Sequence, residues 1–358
     1  MAENTFFSEI HRELGAKTAP VGKWDLPLFY PGGAVGEHRH TRNGTSLFDF
    51  TGTGCWQVIG KDAGKVLDKL LVRSCINLSV GEVMENFFLR DNGIFSAAFV
   101  MCRMQEDDFM FLMDRNVPER ECEYFKKILQ TSLNVRDLSG NMAQLAVAGK
   151  NARQSLSTAG AVELPGYGQW RIIILRDEEG DEFRCIAVSR RFVEGSCYHL
   201  CFNADYALEV YGALYRIQDV APAGVNAWES LRIESMVPGV AAELIPGTPA
   251  VECGLENLIE VDRDFYGKPS ADTVVEQYRL LALGLDRHPL PAGTAVLDAH
   301  GMICGEVTSS AFCPSAGNAV ALCRVKNGTA IENGKLECRM NDDPVCCFSI
   351  LSDRLPVD

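Results

Sequence analysis

Apolar positions recur along this chain with two periods, and the switches between them mark out its elements. From Lys61 to Val72, Ala63, Val66, Leu67, Leu70 and Leu71 keep helical spacing. Residues 7–15 predict a short helix ended by glycine, and residues 118–133 a longer one. Residues 22–30 are extended and aromatic-rich. Apolar runs at 87–89, 95–101 and 109–113 predict strands of one sheet. The order strand, helix, strand, strand, helix, strand is that of a ferredoxin-like unit. A second such pattern starts near Ala143. It has a strand at 145–148, a helix at 152–158, strands at 170–175, 183–188 and 198–202, and a helix at 206–215.

From residue 280 the pattern changes. Short strands at 281–285, 295–297, 305–309, 319–325 and 336–339 alternate with clusters of Gly, Pro, Asn and Asp. That pattern predicts a small β-barrel or sandwich, with its boundary between Pro269 and Tyr278. The chain shows no repeat at solenoid spacing.

Length and charge narrow the function classes. A chain of 358 residues has room for two or three domains and a sizeable core. A net charge of −14 leaves no basic stripe to displace counterions, so a nucleic-acid partner is not expected. The 14 cysteines are irregularly spaced. Neither Cys197 and Cys201 nor Cys346 and Cys347 has a matching pair at zinc-site spacing, so no metal and no disulfide framework is expected. They read as small buried hydrophobes in a reducing compartment. Residues 1–15 lack the apolar run of a signal peptide, and no stretch reaches the ~18–20 apolar residues of a membrane helix. A cytoplasmic location and no membrane partner are therefore expected.

Several segments, in order, carry a family resemblance. They are HRELGAKTAPVGKWDLPLFYPGG (His11 to Gly33), TSLFDFTGTG (Thr45 to Gly54), LRIESMVPG (Leu231 to Gly239), AVECGL (Ala250 to Leu255), DFYGK (Asp264 to Lys268) and GEVTSSAFCPSAGNAVAL (Gly305 to Leu322). Together they resemble the glycine-cleavage T-protein (aminomethyltransferase) family, with TSLFDFTGTG at the place of its Leu-Phe-Asp-Val turn. The resemblance implies an α+β fold of two ferredoxin-like domains plus a C-terminal β-barrel, a cloverleaf around a central funnel. Residues 1–50 and 140–275 would form a first, folate-binding-like domain, 51–139 a second, and 276–358 the barrel. It also implies tetrahydrofolate as cofactor. T-proteins take an aminomethyl group from a lipoyl carrier protein, release ammonia and leave methylene-tetrahydrofolate.

The same resemblance points to the site residues and to how this chain departs from the pattern. The family's central strand carries an Asp-Asp pair whose second member stabilises positive charge on the one-carbon unit. Here the strand reads NGIFSAAFVM (Asn92 to Met101), with Ser96 and Ala97 at the acidic positions and Met101 at a tyrosine. Loss of such a preorganised charge costs a barrier of about 3–4 kcal/mol. His199 stands at the folate-binding glutamate, Trp228 at an arginine facing the folate, and Thr53 at the methionine of an early turn. Glu243 and Arg279 match family residues, and Asp114 stands at an asparagine, which would bring a new carboxylate into the funnel. Each has a plainer reading: Asp114 as a cap on the helix near Pro118, Glu243 as a turn cap, Arg279 as a barrel-entry ion pair, and His199 as a bonded strand residue. His38 and His40 lack a third ligand.

Three functions remain open on these residues. One is a folate-linked aminomethyl transferase with an altered site. Another is a family member without catalysis that binds a different planar ligand or a protein partner. The third is another reaction on the same fold.

Overall fold

The computed structural model describes residues 2–190, 195–255, 258–260, 262–269, 278–285, 288–331, 335–340 and 343–352. In chain order the elements are β1 (Glu3–Asn4), α1 (Ser8–Glu13), β2 (Lys17–Val21), β3 (Trp24–Phe29), α2 (Gly33–Asn43), β4 (Thr45–Asp49), β5 (Gly54–Ile59), α3 (Ala63–Asp68), β6 (Val83–Arg90), β7 (Ile94–Gln105), β8 (Asp108–Met113), α4 (Glu119–Leu129), β9 (Asn134–Asp137), β10 (Met142–Gly149), α5 (Ala152–Thr158), β11 (Trp170–Arg176), β12 (Glu182–Arg190), β13 (Ser196–Asn203), α6 (Ala207–Tyr215), β14 (Val220–Pro222) and α7 (Val225–Glu234). Six further strands follow: β15 (Tyr278–Leu285), β16 (Ala295–Leu297), β17 (Ile303–Cys313), β18 (Asn318–Lys326), β19 (Lys335–Met340) and β20 (Asp343–Ser352).

The strands at 54–137 form one antiparallel sheet in the order β6-β7-β8-β5-β9. Helix α4 carries the chain over β5, so β5 lies between β8 and β9 as in a ferredoxin-like unit, with β6 as an added edge. The α4 face turned to the sheet is aromatic. Phe125 stacks on Phe88 at 4.0 Å, and Phe88 meets Phe99 at 4.6 Å. Each such pair adds about 0.5–1.5 kcal/mol beyond its area.

The second sheet runs β11-β12-β13-β10-β4-β14. Its β4 comes from before the first sheet and pairs antiparallel with β10, Leu145 opposite Asp49. It also pairs parallel with β14. Residues 45–49, read from sequence as a turn, are thus a fully buried strand that completes the second unit. All five of its side chains find cover: Leu47 lies in the core under α5 and α6, and Phe48 lies in the cluster under α7.

The third sheet closes on itself as β15-β18-β17-β16-β19-β20. Leu281, Leu283, Val296, Val307, Ala321 and Cys323 fill one cluster, while Leu280, Ala282 and Leu322 pack with Ile233 of α7 in another. This period-2 split is what the alternation in the sequence requires.

Candidate functional site

The facing surfaces of the two sheets and the start of α7 build the site. On β13, Tyr198, Leu200 and Phe202 point into the core beneath α5 and α6. Strand alternation turns Cys197, His199 and Cys201 to the opposite face. There Cys197 packs with Phe48, Phe50, Ala146 and the α7 residues Ala227, Leu231 and Trp228. Cys201 meets Cys55, Val100, Cys102 and Leu112 of the first sheet. His199 stands between these two contacts.

His199 is 1% exposed. Its Nε2 donates to Gln144 Oε1 at 2.8 Å, and Gln144 Nε2 donates to the Thr53 carbonyl at 2.6 Å. Burial, then the charges of Arg190 and Arg115, push its pKa down to about 3. Its ring lies edge-to-face with Phe50 at 5.1 Å. Trp228 meets Phe50 at 4.7 Å and Phe48 at 5.1 Å, both near perpendicular. The Arg115 guanidinium lies 4.9 Å from the Phe50 ring centre, and its Nη1 donates to the Asp49 carbonyl at 3.3 Å. Arg115 and Trp228, with Pro27, Phe48, Asp49 and the α7 start at Gly224, bound a cleft of about 180 Å³ including its mouth.

Asp114 follows β8. Its N–H donates to the Ala98 carbonyl at 3.1 Å, which fixes it beside β7. Its side chain does not cap α4, whose N-cap is Pro118 without a side-chain bond. It accepts instead from the Asn116 N–H at 2.9 Å, a turn within its own loop. The side chain is exposed to solvent. Loss of water around it to neighbouring groups raises its carboxyl above the ordinary range, against the Asn116 bond and the charges of Arg115 and Arg190. Arg190 pairs with Glu85 at 2.7 Å.

Thus Thr53, Asp114, His199 and Trp228 come together, and other expected residues do not. Ala97 and Met101 were expected in the funnel; both are fully buried in the core cluster with Phe88, Phe111 and Phe125. Ser96 is also buried, and its hydroxyl donates to Glu121 of α4, which the Arg90 guanidinium grips at 2.9 and 3.1 Å. Glu243, 1% exposed, accepts from Arg232 and the Gly239 N–H at 2.8 Å each, from Thr308 at 2.7 Å and from Ser309 at 2.5 Å. Its lone pairs are committed to tying α7's following loop to β17, so it is a structural residue. Arg279 lies on β15, and its Nε is buried without a partner among the described residues. No described hydrogen bond or ion pair joins it to the site.

Phe50, Arg115, Gln144 and Arg190 were not anticipated. Gln144 carried a signal: it is the one polar side chain in the apolar run MAQLAVAG. Arg115 and Arg190 had none beyond their places at the ends of predicted strands.

The GCVT N-terminal domain family matches residues 7–263. The chain belongs to the glycine-cleavage T-protein family. Among curated relatives, the aminomethyltransferase of Xanthomonas axonopodis pv. citri is 27% identical, over 96% of this chain and 95% of the relative. That of Koribacter versatilis is 25% identical, over 90% and 87%. The crystal structure of glycine cleavage system aminomethyltransferase T from Bartonella henselae matches with a TM-score of 0.86 at 22% identity, covering 99% of each chain. That match gives the fold, which agrees with the α+β architecture and terminal barrel expected. The T-protein family is folate-linked. At the positions that the resemblance sets against its glutamate and arginine stand the buried imidazole of His199 and the indole of Trp228. Both rings pack against Phe50, and Trp228 also lines the cleft of about 180 Å³. No group of three or more His, Cys, Asp or Glu that could hold a metal is found among the described residues. No helix among them is long and apolar enough to cross a membrane.

Proposed function

We propose that this T-protein-family chain keeps the family's ligand funnel as a binding site for a planar small molecule and has lost the family's aminomethyl transfer. The observation that carries this is the strand at Ser96–Ala97. Where the resemblance expects an acidic pair, the Ser96 hydroxyl is committed to Glu121 and Ala97 is enclosed in core. A charge that stabilises a developing cation must stand preorganised against it, and neither side chain supplies one. The exchange at His199 and Trp228 supports the same reading, because a neutral acceptor and an apolar plane replace two charges.

The test has two arms. Tetrahydrofolate at 100 times a true dissociation constant would stabilise the protein by about 2.7 kcal/mol; no shift in melting temperature is expected. Single-turnover formation of methylene-tetrahydrofolate from an aminomethylated lipoyl carrier protein should fall at least several hundredfold below that of an ordinary T-protein. A rate within tenfold of it would sink the reading and make Asp114, accessible and hydrogen-bonded beside Ala98, the carboxylate responsible.

A further inference from the structure

Helix α6 has two faces. Ala207, Val210, Tyr211 and Leu214 go into the core of the second sheet. Leu208, Glu209, Gly212, Tyr215 and Arg216 face outward. His199 lies on the opposite side of that sheet, so this surface is separate from the cleft.

Leu208 and Tyr215 are 43% and 40% exposed. At 3.6 residues per turn, they and Gly212 fall within roughly 60° of one another. A Cβ at Gly212 would meet nothing within 4 Å, so this apolar stripe has an open notch at its middle. An exposed Leu or Tyr by itself calls for no partner, but the charges beside the stripe add a pattern. Glu209 stands near the N-terminal end of the helix and Arg216 at its C-terminal end, both on one flank of the stripe. Neither has an ion-pair partner among the described residues. Arg216 spends one N–H on the Arg176 carbonyl at 2.7 Å and keeps its other donors.

This pattern is complementary to itself. A second α6 laid antiparallel, with a twofold axis between Gly212 and Ala213, sets Glu209 level with Arg216 of the second copy, and Arg216 level with its Glu209. Leu208 of each copy then meets Tyr215 of the other, and the notch at Gly212 lets the two backbones approach. A parallel arrangement would instead set Glu209 against Glu209. We propose that the outer face of α6 docks a second copy of this chain, antiparallel, with Glu209 of each copy paired to Arg216 of the other. Such a contact is isologous, as a closed twofold dimer requires. One face of a nine-residue helix is smaller than a standard stable interface, so the dimer is reversible and concentration-dependent.

Sedimentation velocity of the full chain, from micromolar to millimolar concentration, tests this. The unchanged protein should pass from monomer to dimer. Glu209→Arg and Arg216→Glu should each weaken the dimer by about tenfold or more, because each puts two like-charged pairs in place of two matched ones. The two changes together should restore it, a recovery that requires these two residues to face each other. Glu209 is exposed, so Glu209→Arg leaves the fold intact even if the loss of the Arg176 contact perturbs the other variant. Gly212→Gln fills the notch and should weaken the dimer as well. A chain that stays monomeric throughout overturns the proposal. So does a dimer that Glu209→Arg leaves unmoved, or one that the double change does not restore.

Discussion

Truncating Glu243 separates a structural tie from a ligand contact. Four donors converge on its buried carboxylate: Arg232 and the Gly239 N–H on one oxygen, Thr308 and Ser309 on the other. In Glu243→Ala, Arg232 would remain 5% exposed with Glu229 and the Val237 carbonyl as its remaining acceptors. Breaking a buried ion pair by removing one partner costs about 3–5 kcal/mol. The surviving acceptors argue for the lower end, about 3 kcal/mol. Glu243→Gln keeps the size and one acceptor oxygen and should cost about 1–2 kcal/mol, as should Thr308→Ala, whose single hydroxyl proton is shared between Glu243 and the Leu322 carbonyl. The assay is equilibrium urea unfolding followed by both fluorescence and circular dichroism. Because the tie joins α7 to β17, the two probes should separate in Glu243→Ala as the barrel loosens first. A loss below 1 kcal/mol with coincident transitions would refute the argument and return Glu243 to the list of ligand contacts.

Two further changes follow from the same geometry. Ala97→Asp should fail to restore aminomethyl transfer in a single-turnover assay and should lower stability by on the order of 3 kcal/mol, because the new carboxyl enters an aromatic core near Glu121. Unchanged stability with gained turnover would show that Ala97 faces the funnel after all. His199 gives a pH signature. Its folded pKa, about 3, lies below the unfolded value near 6.5, so its contribution is fully present above pH ~6.5 and is lost as pH falls toward 3. Between pH 6 and 4 the unchanged protein should lose roughly 1.4 kcal/mol per pH unit more than His199→Gln. Parallel urea midpoints for the two proteins would count against a buried neutral imidazole.

The sheets were legible because their residues obey a single rule each. Helix α5 falls on residues 152–158 as expected from periodicity, and the barrel strands follow their turn residues. Strand β4 was not legible as a strand. Its run TSLFD is buried on both faces, so it lacks the alternation that marks a half-exposed strand. Its partners, β10 and β14, lie about 100 and 175 residues further on, beyond any local signal.

The site was legible as a set of positions but not as a surface, and one backbone irregularity explains most of the difference. Alternation along β7 would send Ser96 and Ala97 to opposite faces, one of them toward the funnel. Across β6, however, Phe88 pairs with Ala97 while Leu89 pairs with Phe95, so Ser96 is an extra residue in a bulge. The bulge lets Ser96 reach Glu121 on α4 while Ala97 joins the core that holds Phe125 of the same helix. The carbonyl that meets the Asp114 loop belongs to Ala98. A carboxylate at residue 96 or 97 would therefore have to compete with Arg90, Glu121 and an aromatic core before it served a ligand. An acid at residue 114 would not, since its loop already opens to solvent. On the resemblance, an acid lost at β7 and one gained at Asp114 would not be equivalent exchanges: the first would be a charge buried in the core, and the second stands exposed in a loop. On the proposed reading, a ligand of this site would meet a titratable carboxyl at Asp114 and, at His199, an imidazole that burial keeps neutral until the pH falls to about 3.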